Sequence, residues 1–344
     1  VAQGSPRPDP GGAGHVLTTR RRRSPPAAAQ LPLIPERPSD RRAWAGAFQP
    51  TLEDAWLAAL ARFHAADPLG AVWLLVPSRF LGLHLIRLAA HRGGAVNVHV
   101  LTFTDLAERL LEGAATARPL PPAGELLVLR QALREAVPHD GYFAAVRDAR
   151  RFPAALAATC AELRTAGVGP AELEQAARVA GRPSSTDKLR ELARLVSHAN
   201  GSVAAAGFAY PTDALWAAAE RVRAAAPAGG PAGLVAYGFV EWNAAERALL
   251  AALGHRLPLV PLVPAEPGPP FEPLSGLVEW LATEGYAIER SPAPPTRGPR
   301  ALAARLFRES ATPGAGTEGL AIVAAPGEER EVREIARRLL AAAA

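Results

Sequence analysis

Apolar residues come in two alternating rhythms along the first third of this chain. Leu52, Trp56, Leu57, Leu60 and Phe63 fall on one face of a helix predicted from Pro50 to His64, with Pro50 suited to a first helical turn. Residues 71–76 form a compact apolar run ending in Pro77-Ser78, the pattern of a buried strand. Helix 79–92 follows with Phe80, Leu83, Leu85, Ile86 and Leu88, and stops at Gly93-Gly94. Residues 96–103 repeat the strand, and Thr104 is placed to cap a helix over 105–112. Strand–helix alternation of this kind predicts parallel α/β architecture.

The rhythm then changes. From about 122 to 225 the pattern predicts helices alone, over 122–136, 140–147, 153–166, 170–180, 186–206 and 211–225. Strand character returns at 233–239, followed by helix 243–253 and strand 257–263. Proline-rich stretches at 264–273 and 291–299 read as linkers, 320–324 as a further strand, and 328–342 as a helix whose early glutamates and late arginines suit the helix dipole. Leu31 to Ile34 could form a short strand within an otherwise Pro-, Gly-, Ser- and Arg-rich leader. The expected organisation is a disordered basic tail (1–43), an α/β domain in two pieces (44–120 and 226–290), a helical insertion (121–225), and a linker with the start of a second domain (291–344).

Composition removes several classes of function. No apolar run approaches the roughly 18 residues of a membrane span, and residues 1–30 lack the apolar core of a secretory signal. The single Cys160 excludes an internal disulfide framework and a multi-cysteine zinc site, so a cytoplasmic protein is expected. Of 38 basic residues only Lys188 is lysine, a mark of a GC-rich genome that weakens arginine abundance as a sign of nucleic acid. The formal charge of +5 lies wholly in residues 1–46, where eight arginines face Asp9, Glu36 and Asp40; the remainder is balanced. A basic tail suits nucleic-acid contact and equally a plain unstructured leader.

The usual catalytic patterns are missing: no G-x-S-x-G, H-E-x-x-H or C-x-x-C occurs. His84 and His91 can share a helix face but have no nearby carboxylates in sequence, and Gly11 to Gly14 has no strand before it. Glu328, Glu329 and Glu331 read as a solvated helix start. Residues 46–53 stand where a phosphate-gripping loop, G-x-x-x-x-G-K-[ST], would stand; counted from Gly46, the second Gly is Thr51, the Lys is Leu52 and the hydroxyl residue is Glu53. A carboxylate there repels a triphosphate.

Four segments recur in order: V-W-L-L-V-P-S-R (72–79), V-H-V-L-T-F-T-D-L-A-E-R-L-L (98–111), L-V-A-Y-G-F-V-E-W-N-A-A-E-R (234–247) and A-I-V-A-A-P-G-E-E-R-E-V-R-E-I-A-R (321–337), with the helical block between the second and third. Together they resemble the superfamily 1, UvrD-like helicases, and are most similar to the degenerate B subunits of bacterial ATP-dependent helicase–deoxyribonucleases (AddB or RexB type). The resemblance implies a RecA-like, P-loop NTPase-type parallel sheet with a large all-helical insertion. It implies that Ser78, Arg79, Thr102, Phe103 and Thr104 contact single-stranded DNA. It also implies that the third segment replaces a D-E-x-Q-D metal-binding pattern: only Glu241 near Gly238-Phe239 is acidic, and it is out of step.

By the same resemblance the chain is a non-hydrolysing, DNA-binding scaffold in double-strand-break repair and recombination, acting on single- or double-stranded DNA beside a catalytic helicase–nuclease partner, with no membrane. The nuclease centre, with magnesium and a cysteine-held iron–sulfur cluster, is expected only in a C-terminal part that this sequence lacks. Local readings stand beside these: Ser78 and Thr102 as helix caps, Phe103, Tyr237 and Phe239 as core, and Trp242 as a cover over a vacated nucleotide cleft. The alternative at this level is a stand-alone α/β nucleotide- or sugar-binding enzyme.

Overall fold

The computed structural model describes residues 41–114, 117–227, 229–265, 274–290 and 321–343. The expectations for the tail, for Leu31 to Ile34, for Gly11 to Gly14 and for the stretch 291–299 lie outside the described residues.

Six strands form one sheet: β1 (Arg42–Gly46), β2 (Val72–Leu75), β3 (Val98–Leu101), β6 (Gly233–Tyr237), β7 (Leu259–Pro264) and β8 (Ala287–Arg290). Their order is β3-β2-β6-β7-β1-β8, and every pairing is parallel. The three strands expected at 71–76, 96–103 and 233–239 lie side by side, with the first in the middle. The central strands β2, β6 and β7 are buried at every residue, as parallel strands covered on both faces must be. This is a RecA-like sheet.

Helices α1 (Glu53–Ala66) and α2 (Arg79–Arg92) cover one face, where Val72, Leu74, Val235 and Tyr237 meet Trp56, Leu60, Phe63 and Leu85. On the other face Trp73, Leu75, Leu234 and Ala236 meet α3 (Phe103–Leu111), α8 (Pro211–Ala224), α9 (Ala244–Gly254) and α10 (Leu274–Thr283). Alternation along each strand sends successive side chains to opposite layers. Gly233 marks the closest approach of α1 to the sheet: a Cβ there would lie 2.2 Å from Cζ of Phe63.

Between α3 and α8 lies a separate helical core, built by α4 (Pro122–Ala136), α5 (Phe152–Thr165), α6 (Pro170–Val179) and α7 (Pro183–Ala205) around Leu129, Leu133, Leu156, Cys160, Leu195 and Val196. Each of these helices carries proline in its first turn, where the missing N–H costs nothing. A short parallel pair, β4 (Arg118–Pro119) with β5 (Phe208–Ala209), joins the two ends of this block. Helix α8, counted above with the insertion, packs instead into the core of the sheet domain through Ala218, Ala219 and Val222.

Three sequence expectations are corrected. Residues 41–43 belong to the folded body, because Arg42 and Ala43 open β1. Residues 140–147 form linked turns rather than a helix: the buried carboxylate of Glu191 takes the N–H groups of Tyr142 (2.7 Å) and Phe143 (3.0 Å), holding that backbone out of a helical ladder. Residues 321–324 form no strand, as no ladder partner meets them among the described residues. Helix α11 (Glu328–Ala343) follows and buries none of its residues; Glu334 is held by Arg337 and Arg338 within the same helix.

Candidate nucleic-acid interface

The carboxyl ends of β2, β3 and β6 open on a cleft of about 630 Å³. Its walls bring together Thr102, Phe103 and Thr104 with Gly238, Phe239 and Glu241, two segments more than 130 residues apart in sequence. Val76, Pro77, Trp242, Asn243 and Glu246 complete the lining. Open α/β sheets place ligands at this edge, beyond the strand carboxyl ends.

Ser78 and Arg79 are not among the lining residues. Ser78 caps α2, its hydroxyl accepting from the Leu81 N–H at 3.4 Å. Arg79 reaches the neighbouring helix, donating from Nη2 to Oδ1 of Asp105 at 2.6 Å, with its own side chain 73% exposed. Thr102 and Asp105 cap α3 reciprocally: Asp105 Oδ2 accepts from the Thr102 N–H (2.9 Å) and hydroxyl (2.8 Å), and Thr102 Oγ1 accepts from the Asp105 N–H (3.3 Å). The Thr102 N–H, and after it Arg79, hold the Asp105 carboxyl below the usual carboxylate range. Arg79 is raised in turn, chiefly by its bond to Asp105.

Phe103 is only 8% exposed and packs edge-on against Phe239, ring centroids 5.2 Å apart. Its stacking faces are thus closed off, and the core reading describes its place. The aromatic run continues from Phe239 to Trp242 (5.9 Å) and on to Trp280 (5.5 Å). Trp242 is 3% exposed with its Nε1–H buried and unpartnered. Thr104 is exposed. Sequence periodicity assigned Phe80 to helix packing, yet it is 86% exposed beside Arg79, and it is the free ring that the sequence reading missed.

Glu246 faces the cleft as part of a second reciprocal cap: it accepts from the Asn243 N–H at 3.0 Å while Asn243 Oδ1 accepts from the Glu246 N–H at 3.0 Å. Burial first, with the charge of Glu241 adding to it, raises the Glu246 carboxyl above its ordinary value against the pull of the Asn243 bond. A raised folded-state pKa contributes stability below the unfolded value that is lost as pH rises through the folded one. Glu246→Gln keeps an oxygen to accept from Asn243 and removes the charge. We expect this variant to gain stability at neutral pH, and its urea midpoint to lose the decline that the parent shows just above the carboxylate range. An unchanged profile would place the ionised carboxylate in solvent.

On the far side of the sheet centre, β1 ends at Gly46, the chain turns through 48–52 with a cis Gln49–Pro50 peptide, and α1 starts at Glu53. Thr51 lies within this turn, and Leu52 is fully buried in the core. Glu53 accepts from His84 Nε2 at 2.9 Å, which also accounts for His84. Tyr237 donates its hydroxyl to the Phe48 carbonyl at 3.4 Å, and burial, with Glu53 nearby, pushes that hydroxyl upward. Gly238 has a φ of +79°, and a Cβ there would meet Leu81 at 3.0 Å and Phe48 at 3.3 Å. Apolar side chains therefore fill the space between the turn and Gly238. Among the described residues no group of three metal-ligating side chains occurs, and no helix is long and apolar enough to cross a membrane.

A model of the AddB N-terminal family matches residues 58–257. The chain belongs to this family. The AddB match runs from within α1 to Leu257, three residues past the end of α9, taking in β2, β3, β6 and the whole helical block, while the turn at 46–53 precedes it. Membership makes this the N-terminal region of an AddB-type helicase–nuclease subunit of DNA repair. No curated protein matches the chain.

Proposed function

We propose that this region is a non-hydrolysing scaffold that guides single-stranded DNA within an AddB-type subunit, in double-strand-break repair and recombination. The observation that carries the reading is the contrast between two loops on one sheet. The edge of β2, β3 and β6 opens as a cleft, while the turn after β1 is packed with Phe48 and Leu52 and carries Glu53 where phosphate would need cations. Glu241 and Glu246 in the cleft disfavour phosphates there, which suits bases inside and backbone at the rim, beside Arg79 and the exposed Phe80. Stacking on Phe80 takes the role that buried Phe103 cannot fill, with Ser78, Thr102 and Thr104 on the neighbouring loops.

The rest of the proposal concerns the larger assembly. A catalytic helicase–nuclease subunit supplies ATP turnover, and magnesium and an iron–sulfur cluster belong to a nuclease part beyond this sequence. The complex works in the cytoplasm on single- and double-stranded DNA, and residues 321–343 begin a second RecA-like domain. Family membership sets aside the unrelated nucleotide- or sugar-binding enzyme.

The test uses the chain without residues 1–40, so that Arg20 to Arg23 contribute nothing and β1 stays intact. We expect a single-stranded oligonucleotide to bind with an affinity that falls as salt rises. Phe80→Ala should weaken it at least about fivefold, the loss of one stacked base, and Arg79→Ala should reduce the salt dependence. The same samples should show no DNA-stimulated ATP turnover. Binding unaffected by either change would overturn the DNA assignment, and turnover abolished by Glu241→Gln would overturn the non-hydrolysing one.

A further inference from the structure

The opposite edge of the sheet, at the amino ends of the strands, holds a partly buried cation, Arg41, that meets no carboxylate among the described residues. Arg41 precedes β1 and donates from Nη1 to the Glu284 carbonyl (2.7 Å) and from Nη2 to the Gly254 carbonyl (2.7 Å) and to Nδ1 of His255 (3.0 Å). Its guanidinium lies 5.4 Å from the ring centre of Tyr286. Two of these acceptors are backbone carbonyls, and the buried Nε–H has no partner among the described residues. A buried donor that meets no acceptor is costly.

Arg41, Arg42 and Arg62 line a small cavity of about 30 Å³ together with Gly254, Val260 and Tyr286. Arg42 is balanced by Glu289 at 2.9 Å. Arg62, exposed on α1, meets only the Phe63 ring at 5.5 Å among the described residues. Among the described residues, Arg41 and Arg62 are the cations of this cavity that meet no carboxylate. The volume suits one or two oxygens, not a whole ligand.

We infer that Arg41 and Arg62 form a phosphoryl-oxyanion site at this edge, in which one phosphate oxygen enters the cavity and the rest stays at the surface under Arg62. Guanidinium donors in a fixed fork match phosphate oxygens better than a point charge does. The site is separate from the cleft, which lies at the other end of the same parallel strands, and it stands whether or not the cleft binds DNA. The phosphoryl group comes either from free phosphate or from a nucleic-acid backbone.

The full chain is titrated with inorganic phosphate at fixed ionic strength by calorimetry, with acetate as a control. We expect saturable binding that weakens about tenfold in Arg62→Ala, the loss of one charge-assisted contact, and recovers in part in Arg62→Lys. Thermal stability should be unchanged, since Arg62 ties no other element. A single-stranded oligonucleotide then separates the sources: phosphate competes with it in the parent but not in Arg62→Ala if the backbone is the ligand, and Arg62→Ala leaves oligonucleotide affinity intact if free phosphate is. Either result supports the site. Phosphate affinity equal in parent and Arg62→Ala, or acetate binding as tightly as phosphate, would overturn it and leave the cavity to water.

Discussion

Trp56→Ala should cost about 3–5 kcal/mol of unfolding free energy, the range for emptying a large aromatic site in a core. Trp56 is fully buried between α1, α2 and the sheet, and its Nε1–H donates to the Leu85 carbonyl at 3.2 Å. Truncation removes the packing and the bond from α1 to the backbone of α2, where Leu85 and Ala89 lie opposite. Trp56→Phe, which keeps most of the volume, should lose only about 1–2 kcal/mol through the bond. Urea unfolding gives both values. A loss below about 1 kcal/mol for alanine would mean that α1 does not pack on the sheet as described.

Glu191→Ala should destabilise the helical block by roughly 2–6 kcal/mol, as two backbone N–H groups lose their acceptor at about 1–3 kcal/mol each. Glu191 is 2% exposed, and its two oxygens serve Tyr142 and Phe143. The carboxylate occupies the space over Gly141, where a Cβ would come within 2.5 Å of Oε2. Glu191→Gln retains one acceptor but turns an amide N–H toward a backbone N–H, and should fall between alanine and the parent. Hydrogen exchange separates local from global effects: the amides of Tyr142 and Phe143 should lose protection in both variants, more than those of the sheet strands. Unchanged protection there would show that the turns hold without the carboxylate.

Periodicity carried much of this fold. The runs at 71–76 and 233–239 are apolar at nearly every position because both faces of their strands are covered, while the helix expected from 186 in fact starts at Pro183. What escaped notice has physical causes. β1 reads Arg-Ala-Trp-Ala-Gly, too small in its side chains to stand out beside an arginine-rich leader. β8 lies at the sheet edge, pairing only with β1, and its exposed ends carry no apolar signature. The helical period at 140–147 was present, but Glu191, almost fifty residues later, decides where those N–H groups point. In the candidate interface, the sequence named the loops but not their partners. The core reading describes Phe103, but that Arg79 would engage Asp105 and that Phe80 would face outward depends on how two neighbouring helices begin.

The small ladder of β4 and β5 gives the helical block an unusual status in the chain. Arg118 N–H donates to the Gly207 carbonyl (3.1 Å) and Leu120 N–H to that of Ala209 (2.8 Å), while the Arg118 guanidinium lies over the Phe208 ring at 4.7 Å. Entry and exit of this segment of some ninety residues therefore meet at one doorway two strands wide, and beside it Trp216 of α8 donates to the Arg164 carbonyl of α5 at 3.1 Å. Closing that junction costs nearly the same whatever hangs from it, since closure entropy grows only slowly with length. The block has the build of a cassette: a shorter or longer helical unit with its own core would need to keep only the ladder at residues 118–120 and 207–209 and an acceptor for Trp216 of α8, leaving β3 and β6 in their places in the sheet.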